Sequence, residues 1–269
     1  MKNNTINTAM IEIFNLCPRA YFLGLYYSSY ASFAKPVTTL KKCLLQGIAH
    51  INLKNITTLA QVQKYVGKNF PESILKAKNI PGSKANEAFL YIYHCLKNYL
   101  NNPYNPANFE KVGVAAKLKS RVPLANIYLE EIVDLILWNS KTQTLEIIDF
   151  DTKTTAYNNY FWPGNSELVL TYLSQKLRLH YPYENLQILK YSLTNKPNKE
   201  NNNVISTKVS ETEFELNFPQ LVPVLIKMNE MQNIKGEEYS NLLKQECTCK
   251  LCSNFNHNLL KSHNIEISA

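Results

Sequence analysis

One short segment constrains this chain more than any other: residues 145–154 read Leu-Glu-Ile-Ile-Asp-Phe-Asp-Thr-Lys-Thr, a strand-like pattern. Side chains of a β-strand return to the same face at every second residue, so Asp149, Asp151 and Lys153 share a face. Two carboxylates and an ammonium group on one face of a buried strand are costly unless they bind a metal ion or a charged ligand. The alternative is an edge strand whose polar face meets solvent while its apolar face meets the core.

A second strand-like run, residues 130–138, carries the isolated carboxylate Asp134 on a face that also holds Ile132 and Ile136. The turn-like sequence Asn-Ser-Lys-Thr at 139–142 separates the two runs and predicts a hairpin. The hairpin would bring Asp134 close to the acidic face of the first segment. An apolar setting for Asp134 weakens the solvent-face alternative, and the combined arrangement is typical of a metal-dependent phosphodiesterase.

The size and charge of the chain limit its class and its partners. Its 269 residues, with 45% hydrophobic content, suit one large globular domain. No run approaches the length needed to cross a bilayer, and residues 1–13 lack the sustained apolar stretch of a secretory signal, so a cytoplasmic protein is expected. The net charge of +8 favours polyanionic partners without specifying a fold.

Hydrophobic periodicity changes from helical to strand-like near residue 112. Helical patterns fill the first third of the chain, at 8–23, 37–53, 59–66, 72–77 and 86–100. Three consecutive strands follow, at 112–122, 127–138 and 145–153. A helix, two strands and a last helix complete the chain, at 166–180, 187–193, 204–209 and 219–234. This order predicts an α/β or α+β core with a helical insertion at 55–108.

The six cysteines fall into two groups. Cys43 and Cys95 lie within apolar helical patterns and are expected to pack in the core. The other four are unevenly placed, at Cys17, Cys247, Cys249 and Cys252. Three cysteines within six residues predict a soft-metal site, zinc or a [4Fe–4S] cluster, and the spacing does not choose between the two. A shared site with Cys17 would pack the segment 245–258 back on the N-terminus and stabilise the fold through metal binding.

Several motifs, taken in chain order, resemble those of one nuclease family. Residues 14–22, Phe-Asn-Leu-Cys-Pro-Arg-Ala-Tyr-Phe, resemble a CPRxYxL entry motif, and Gly47-Ile48-Ala49-His50 resembles a GxxH helix. Val133-Asp134-Leu135-Ile136 resembles a first acidic strand, and Asp151-Thr152-Lys153-Thr154 resembles a DxKT motif. Together with the trailing cysteines, this set resembles the RecB-like branch of the PD-(D/E)XK nucleases, which includes CRISPR-associated exonucleases and AddB-type repair nucleases.

The resemblance implies a restriction-endonuclease-like α/β fold, in which a mixed central sheet is flanked by helices and a helical region or insertion lies near the N-terminus. It implies one nuclease domain over residues 1–269. It also implies that Mg²⁺ or Mn²⁺ is held by His50, Asp134, Asp151 and the Thr152 carbonyl, with Asp149 as an extra or supporting ligand. Lys153 would orient the attacking water or stabilise the charge of the transition state. Arg19 and Tyr172 would contact DNA.

The chain departs from the family pattern at three positions. Glu131 stands where the family often has glycine, Leu168 stands where a DNA-contacting QxxxY helix has glutamine, and Asn258 stands where the last cysteine is expected. By resemblance, the expected function is a DNA exonuclease that acts on single-stranded ends in repair, recombination or CRISPR adaptation, with the proteins of those pathways as further partners and no membrane association. The alternatives are a catalytically decayed module that binds DNA or protein, and a metal-stapled structural protein.

Overall fold

The computed structural model describes residues 5–26, 36–54, 56–70, 82–152, 163–193, 204–207 and 211–234, together with Cys247, Cys249 and Cys252. Strand β1 (Thr5–Ile6) precedes five helices in the described part of the chain: α1 (Thr8–Leu16), α2 (Pro18–Tyr26), α3 (Pro36–Lys54), α4 (Leu59–Asn69) and α5 (Gly82–Asn101). Three strands follow: β2 (Glu110–Val122), β3 (Ile127–Asn139) and β4 (Thr144–Thr152). The later elements are α6 (Pro163–Ser174), a 3₁₀ turn (Gln175–Leu179), β5 (Asn185–Leu193), β6 (Val204–Thr207) and α7 (Glu211–Asn233).

Strand β3 organises the sheet because three other strands pair with it. Strand β2 runs antiparallel along nearly all of one edge of β3, from Glu110 opposite Trp138 to Val122 opposite Ile127. The short parallel strand β1 and the antiparallel strand β4 therefore share the other edge of β3. Beyond β4, β5 pairs parallel through the crossover helix α6, and β6 pairs antiparallel with β5.

Helices cover both faces of this mixed sheet. On one face, α1, α6 and α7 pack through a cluster that includes Ile11, Val169 and Leu225. On the other face, α3, α4 and α5 pack through a cluster that includes Ile48, Val66 and Leu96. The prediction of a mixed central sheet flanked by helices is therefore confirmed. Among the described helices, none is long and apolar enough to cross a membrane.

Several predicted boundaries were wrong. Helix α7 begins at Glu211, eight residues before the predicted start, and continues through Pro219 and Pro223. Proline removes a backbone donor and normally ends a helix, but burial of one face of α7 against α1, α2 and α6 outweighs that local preference. The predicted helix at 166–180 ends at Ser174 and continues as the 3₁₀ turn. Strand β1 was not predicted because two residues show no periodicity, and the predicted helix at 72–77 lies outside the described residues.

Two glycines offer a matched test of the packing between α3 and α5. A Cβ atom on Gly47 would lie 2.6 Å from Leu96 Cδ1, and Leu96 is fully buried, so its methyl groups have no room to move aside. We expect Gly47→Ala to lower the free energy of unfolding by about 1 to 2 kcal/mol, because overpacking exceeds the gain in helix propensity. Gly67 in α4 has no atom within 4 Å of such a Cβ, so Gly67→Ala should stabilise the protein by up to about 1 kcal/mol. Urea denaturation measures both changes, and a stabilised Gly47→Ala variant would contradict the described helix packing.

Candidate active site and cysteine cluster

At Asp134, the buried side chains of β3 switch from one face of the sheet to the other. Val133 packs under α1 and α6, whereas Leu135, two residues further, packs under α3 and α5 on the opposite face of the sheet. Asp134 therefore stands between Ile132, which is 65% exposed, and Ile136, which is buried. The predicted apolar face containing all three residues was wrong, because the alternation of the strand is interrupted at Asp134.

The neighbouring backbone is also irregular at this point. The register places Ala115 of β2 opposite Asp134, between the pairs Val114–Leu135 and Ala116–Val133. Ala115 has a φ of 48°, in the left-handed region that a residue with a Cβ rarely adopts. Strain of this kind persists only where the surrounding structure holds it, and it is concentrated at functional sites.

The carboxylate of Asp134 substitutes for the strand pairing between β3 and β4. The ladder between the two strands ends at Leu135 opposite Ile148. Beyond this pair, the backbone N–H of Phe150, two residues after Ile148, donates a hydrogen bond of 2.8 Å to Oδ2 of Asp134, the residue before Leu135. The next residue of β4 is Asp151, so the backbone of a second predicted metal ligand directly follows the residue that Asp134 holds. The side chains of Asp151 and Thr152, and the whole of Lys153, lie outside the described residues.

The helical layer over this point contains His50 and a buried polar pair. The Asn52 amide donates to the Tyr99 hydroxyl at 2.9 Å, and burial raises the pKa of Tyr99 to about 12, with the nearby charge of Asp134 adding to the rise. His50 lies two residues before Asn52 in α3 and stacks on Tyr65, with ring centroids 4.8 Å apart. Helix α3, which carries His50, contacts strand β3, which carries Asp134.

An acidic cluster that the sequence did not predict lies on the opposite face of the sheet. Lys190 of β5 is the register partner of Asp149, and its Nζ lies 3.8 Å from Glu167 Oε1 on α6. Both carboxylate oxygens of Glu167 are buried and have no hydrogen-bond partner among the described residues. Glu131 accepts a short hydrogen bond from the backbone N–H of Thr8 at the start of α1. Glu12, one turn later in α1, is 8% exposed.

Burial, together with an excess of negative charge, raises the pKa values of two carboxyl groups in the cluster, those of Glu12 and Glu131. Burial raises the pKa of Glu12 to about 7, Glu131 and Glu167 add to the rise, and Lys190 opposes it. Burial also raises the pKa of Glu131, with Asp149 contributing, although the Thr8 hydrogen bonds oppose the shift. A single charged residue in the apolar run Met-Ile-Glu-Ile-Phe at 10–14 is the sequence signal that would have identified Glu12.

Four cysteines from the two ends of the chain converge. The Sγ atoms of Cys17, Cys247, Cys249 and Cys252 all lie within 4.8 Å of one another. Cys17 Sγ lies 3.7 Å from Cys247 Sγ and 3.5 Å from Cys252 Sγ. Among the described side chains, this is the only group of three or more His, Cys, Asp or Glu residues with ligand atoms that close, and it could hold a metal ion.

Backbone N–H groups donate to two sulfurs of this cluster, although burial raises the pKa of Cys17 and of Cys252. The backbone N–H of Ala20 donates to Cys17 Sγ, and that of Cys252 donates to Cys249 Sγ, each at 3.4 Å. Cys17 also directly precedes α2, where the helix dipole stabilises negative charge. Burial opposes ionisation of Cys249, but hydrogen bonds from the Cys252 N–H and the neighbouring thiols lower its pKa to about 7.

The structure describes the contacts of Tyr172 and the position of Arg19, the two residues predicted to contact DNA. The Tyr172 hydroxyl donates to the backbone carbonyl of Arg121 at 2.5 Å, and its ring stacks on Phe218 with centroids 4.5 Å apart. Arg19 lies half-buried in the first turn of α2, two residues after Cys17. The hydroxyl and the ring of Tyr172 therefore both join α6 to neighbouring elements.

Replacing Glu12 by glutamine tests the acidic cluster. Its pKa of about 7 in the folded protein exceeds the ordinary value of 4.5, so the folded state keeps a proton that the unfolded state releases between those pH values. Stability from this group should therefore fall as pH rises through that window. Urea denaturation in EDTA measures the free energy of unfolding of Glu12→Gln and of the parent. We expect the difference between the two to shift in favour of the variant by on the order of 2 kcal/mol from pH 5 to pH 8. Glu230→Gln, at an exposed site on α7, is the control, and an equal effect of Glu12→Gln at both pH values would contradict the expected ionisation.

Comparisons with known proteins assign no family to this chain. No protein-family model matches it, and no curated protein matches it. One solved structure that resembles it is the crystal structure of a protein from Eubacterium rectale with the provisional name exonuclease. The two chains are 11% identical and superpose with a TM-score of 0.42, over 76% of this chain and 77% of that chain.

Proposed function

We propose that this protein is a metal-dependent nuclease that hydrolyses phosphodiester bonds in DNA. The observation that carries the proposal is the carboxylate of Asp134 at the point where β3 and β4 separate, bonded to the backbone residue that precedes Asp151. The strand order of the sheet, an antiparallel meander followed by a crossover helix and a parallel strand, also supports the resemblance of the sequence to the PD-(D/E)XK nucleases.

The proposed ligands are oxygen-rich, as Mg²⁺ and Mn²⁺ require. Asp134 and Asp151 would supply carboxylates. Thr152 follows Phe150 by two residues of an extended strand, so its carbonyl is directed toward β3, the side on which Asp134 lies. A divalent ion at these oxygens would polarise a phosphoryl oxygen and lower the pKa of a bound water. His50 would complete the set in a form that favours Mn²⁺, and Asp149, one strand repeat before Asp151, would be an extra or supporting ligand.

Lys153 would have the remaining chemical role. It is two residues beyond Asp151 and therefore on the same face of an extended strand. An ammonium group there would orient the attacking water or stabilise the additional negative charge of the transition state. The net charge of +8 supports a polyanionic substrate, and the family resemblance supports single-stranded DNA ends and a role in repair, recombination or CRISPR adaptation.

Substitutions at the three central positions test the enzyme assignment. We expect Asp134→Asn, Asp151→Asn and Lys153→Ala each to lower the rate of single-stranded DNA cleavage at least about 100-fold in Mg²⁺ or Mn²⁺, because each removes charge at the reacting phosphate. EDTA should abolish the parent activity. The measurement is release of labelled nucleotides from a single-stranded oligonucleotide.

Glu110→Gln is the matched control, since Glu110 is an exposed carboxylate of the same sheet, opposite Trp138 and away from the strand opening. Its cleavage rate should equal that of the parent. A parent protein that binds DNA yet releases no nucleotides with any divalent ion would instead support the decayed binding module. Unchanged cleavage in all three site variants would exclude the proposed active site.

For the four cysteines, we infer a single tetrahedral ion, zinc, as the occupant. Zn–S bonds of about 2.3 Å in a tetrahedron place the sulfurs about 3.8 Å apart. The distances of 3.7 and 3.5 Å from Cys17 to Cys247 and Cys252 agree with that spacing. In a [4Fe–4S] cluster, each thiolate binds a different iron and stands outside the cubane, so the sulfurs would be spaced more widely than the 4.8 Å limit within which all four lie.

Metal analysis tests this assignment. We expect protein purified without oxygen to contain one zinc per chain, no inorganic sulfide and no brown colour. Cobalt substituted at the site should give the visible bands of a tetrahedral thiolate complex, and Cys17→Ser should weaken them. Cys43→Ser, at a cysteine outside the cluster, is the control. Four irons and four sulfides per chain would overturn the single-ion assignment.

A further inference from the structure

One half of the β2–β3 ribbon presents basic side chains on the face opposite the core. Leu118 and Val122 of β2 turn inward beneath α1 and α6. The alternating residues Lys117, Lys119 and Arg121 therefore point outward. Their register partners on β3 are Ile132, Glu130 and Tyr128 respectively. Three cations, one carboxylate, an aromatic ring and an apolar side chain thus form two parallel rows, here called the basic ribbon face.

The side chains of the basic ribbon face are accessible and organised. Lys117 is 58% exposed at its side chain and Lys119 is 32% exposed. Glu130 lies between them, 2.6 Å from Lys117 Nζ and 3.2 Å from Lys119 Nζ. The Lys119 ammonium also lies 4.9 Å from the centroid of the Tyr128 ring. Arg121 is exposed and donates to Asn126 Oδ1 at 2.9 Å, which orients its guanidinium.

We propose that the basic ribbon face binds the backbone of a single-stranded nucleic acid that enters the candidate active site. The face leads along β3 from Tyr128 through Ile132 to Asp134, so one end of it meets the strand opening. Successive outward residues of a strand are about 7 Å apart, close to the phosphate spacing of an extended single strand. This inference rests on the proposed function, because it assigns the substrate path of the same site.

The chemistry of the face favours a single strand over a duplex. A single strand exposes its bases, so one base could stack on the half-exposed Tyr128 ring while its phosphates contact the flanking cations. Sequence-independent binding of this type depends on charge and stacking and is strongly salt-dependent. Glu130 neutralises part of the basic charge, so it should oppose binding and moderate the affinity.

Binding of a fluorescent 30-nucleotide oligo(dT) to the full chain in EDTA, over a series of salt concentrations, tests the proposal. The double variant Lys117→Gln/Arg121→Gln should weaken binding roughly ten- to thirty-fold at 0.1 M salt and reduce the slope of log affinity against log salt by about 1.4. Glu130→Gln should strengthen binding. Lys141→Gln/Lys176→Gln removes two exposed lysines elsewhere and should leave the affinity unchanged.

A small substrate, bis(p-nitrophenyl) phosphate, separates this proposal from the nuclease assignment, because it is too short to reach the basic ribbon face. Unchanged hydrolysis of the small substrate together with weakened oligonucleotide binding supports the path. Unchanged oligonucleotide binding in the double variant overturns it, as does tighter binding to a 30-base-pair duplex that depends on the same two residues. Failure of Asp134→Asn to affect cleavage would overturn the active site alone, since the binding data do not depend on catalysis.

Discussion

The arrangement of the candidate site depends on how one edge of β3 is divided between two partners. Strand β1 pairs with β3 at Tyr128 and Leu129, and β4 pairs with it from Leu135 onward. Between them the edge is taken over by side chains: Glu131 accepts from Thr8 at the start of α1, and Asp134 accepts from Phe150 of β4. Two carboxylates thus replace ladder hydrogen bonds, which places acidic groups at the strand ends where the sheet opens.

The charge balance differs between the two faces of the sheet at this opening. On one face, Asp134 adjoins the uncharged pair Asn52 and Tyr99. On the other, Lys190 is the only cation among the described residues that acts on Glu12, in a group that also includes Glu131 and Glu167. Burying that many carboxylates together costs free energy. Because its pKa is raised, Glu12 keeps its proton to a higher pH, and a neutral carboxyl group costs less to bury than a charged one.

The sequence predicted those features of the fold that depend on short-range patterns, such as strand alternation and turn residues. The strand meander and the proximity of Asp134 to the end of β4 follow from alternation and turn signals, and the three strands lie within two residues of their predicted boundaries. Other features depend on long-range packing. The acidic cluster combines residues from α1, β3, α6 and β5, and helix α7 continues through two prolines because its apolar face is buried. No local pattern of the sequence contains that information.

Helix α1 connects the cysteine cluster with the sheet opening. Its first turn is capped by the Glu131 carboxylate, and its last turn ends where the backbone N–H of Cys17 donates to the carbonyl of Ile13 at 2.8 Å. Glu12 lies between these two ends and faces the acidic cluster. A metal ion on the cysteines would therefore fix both the C-terminal segment and the helix that carries Glu12. Because binding free energy at such a site contributes to folding, loss of the ion would loosen α1, and with it the hydrogen bond from Thr8 to Glu131.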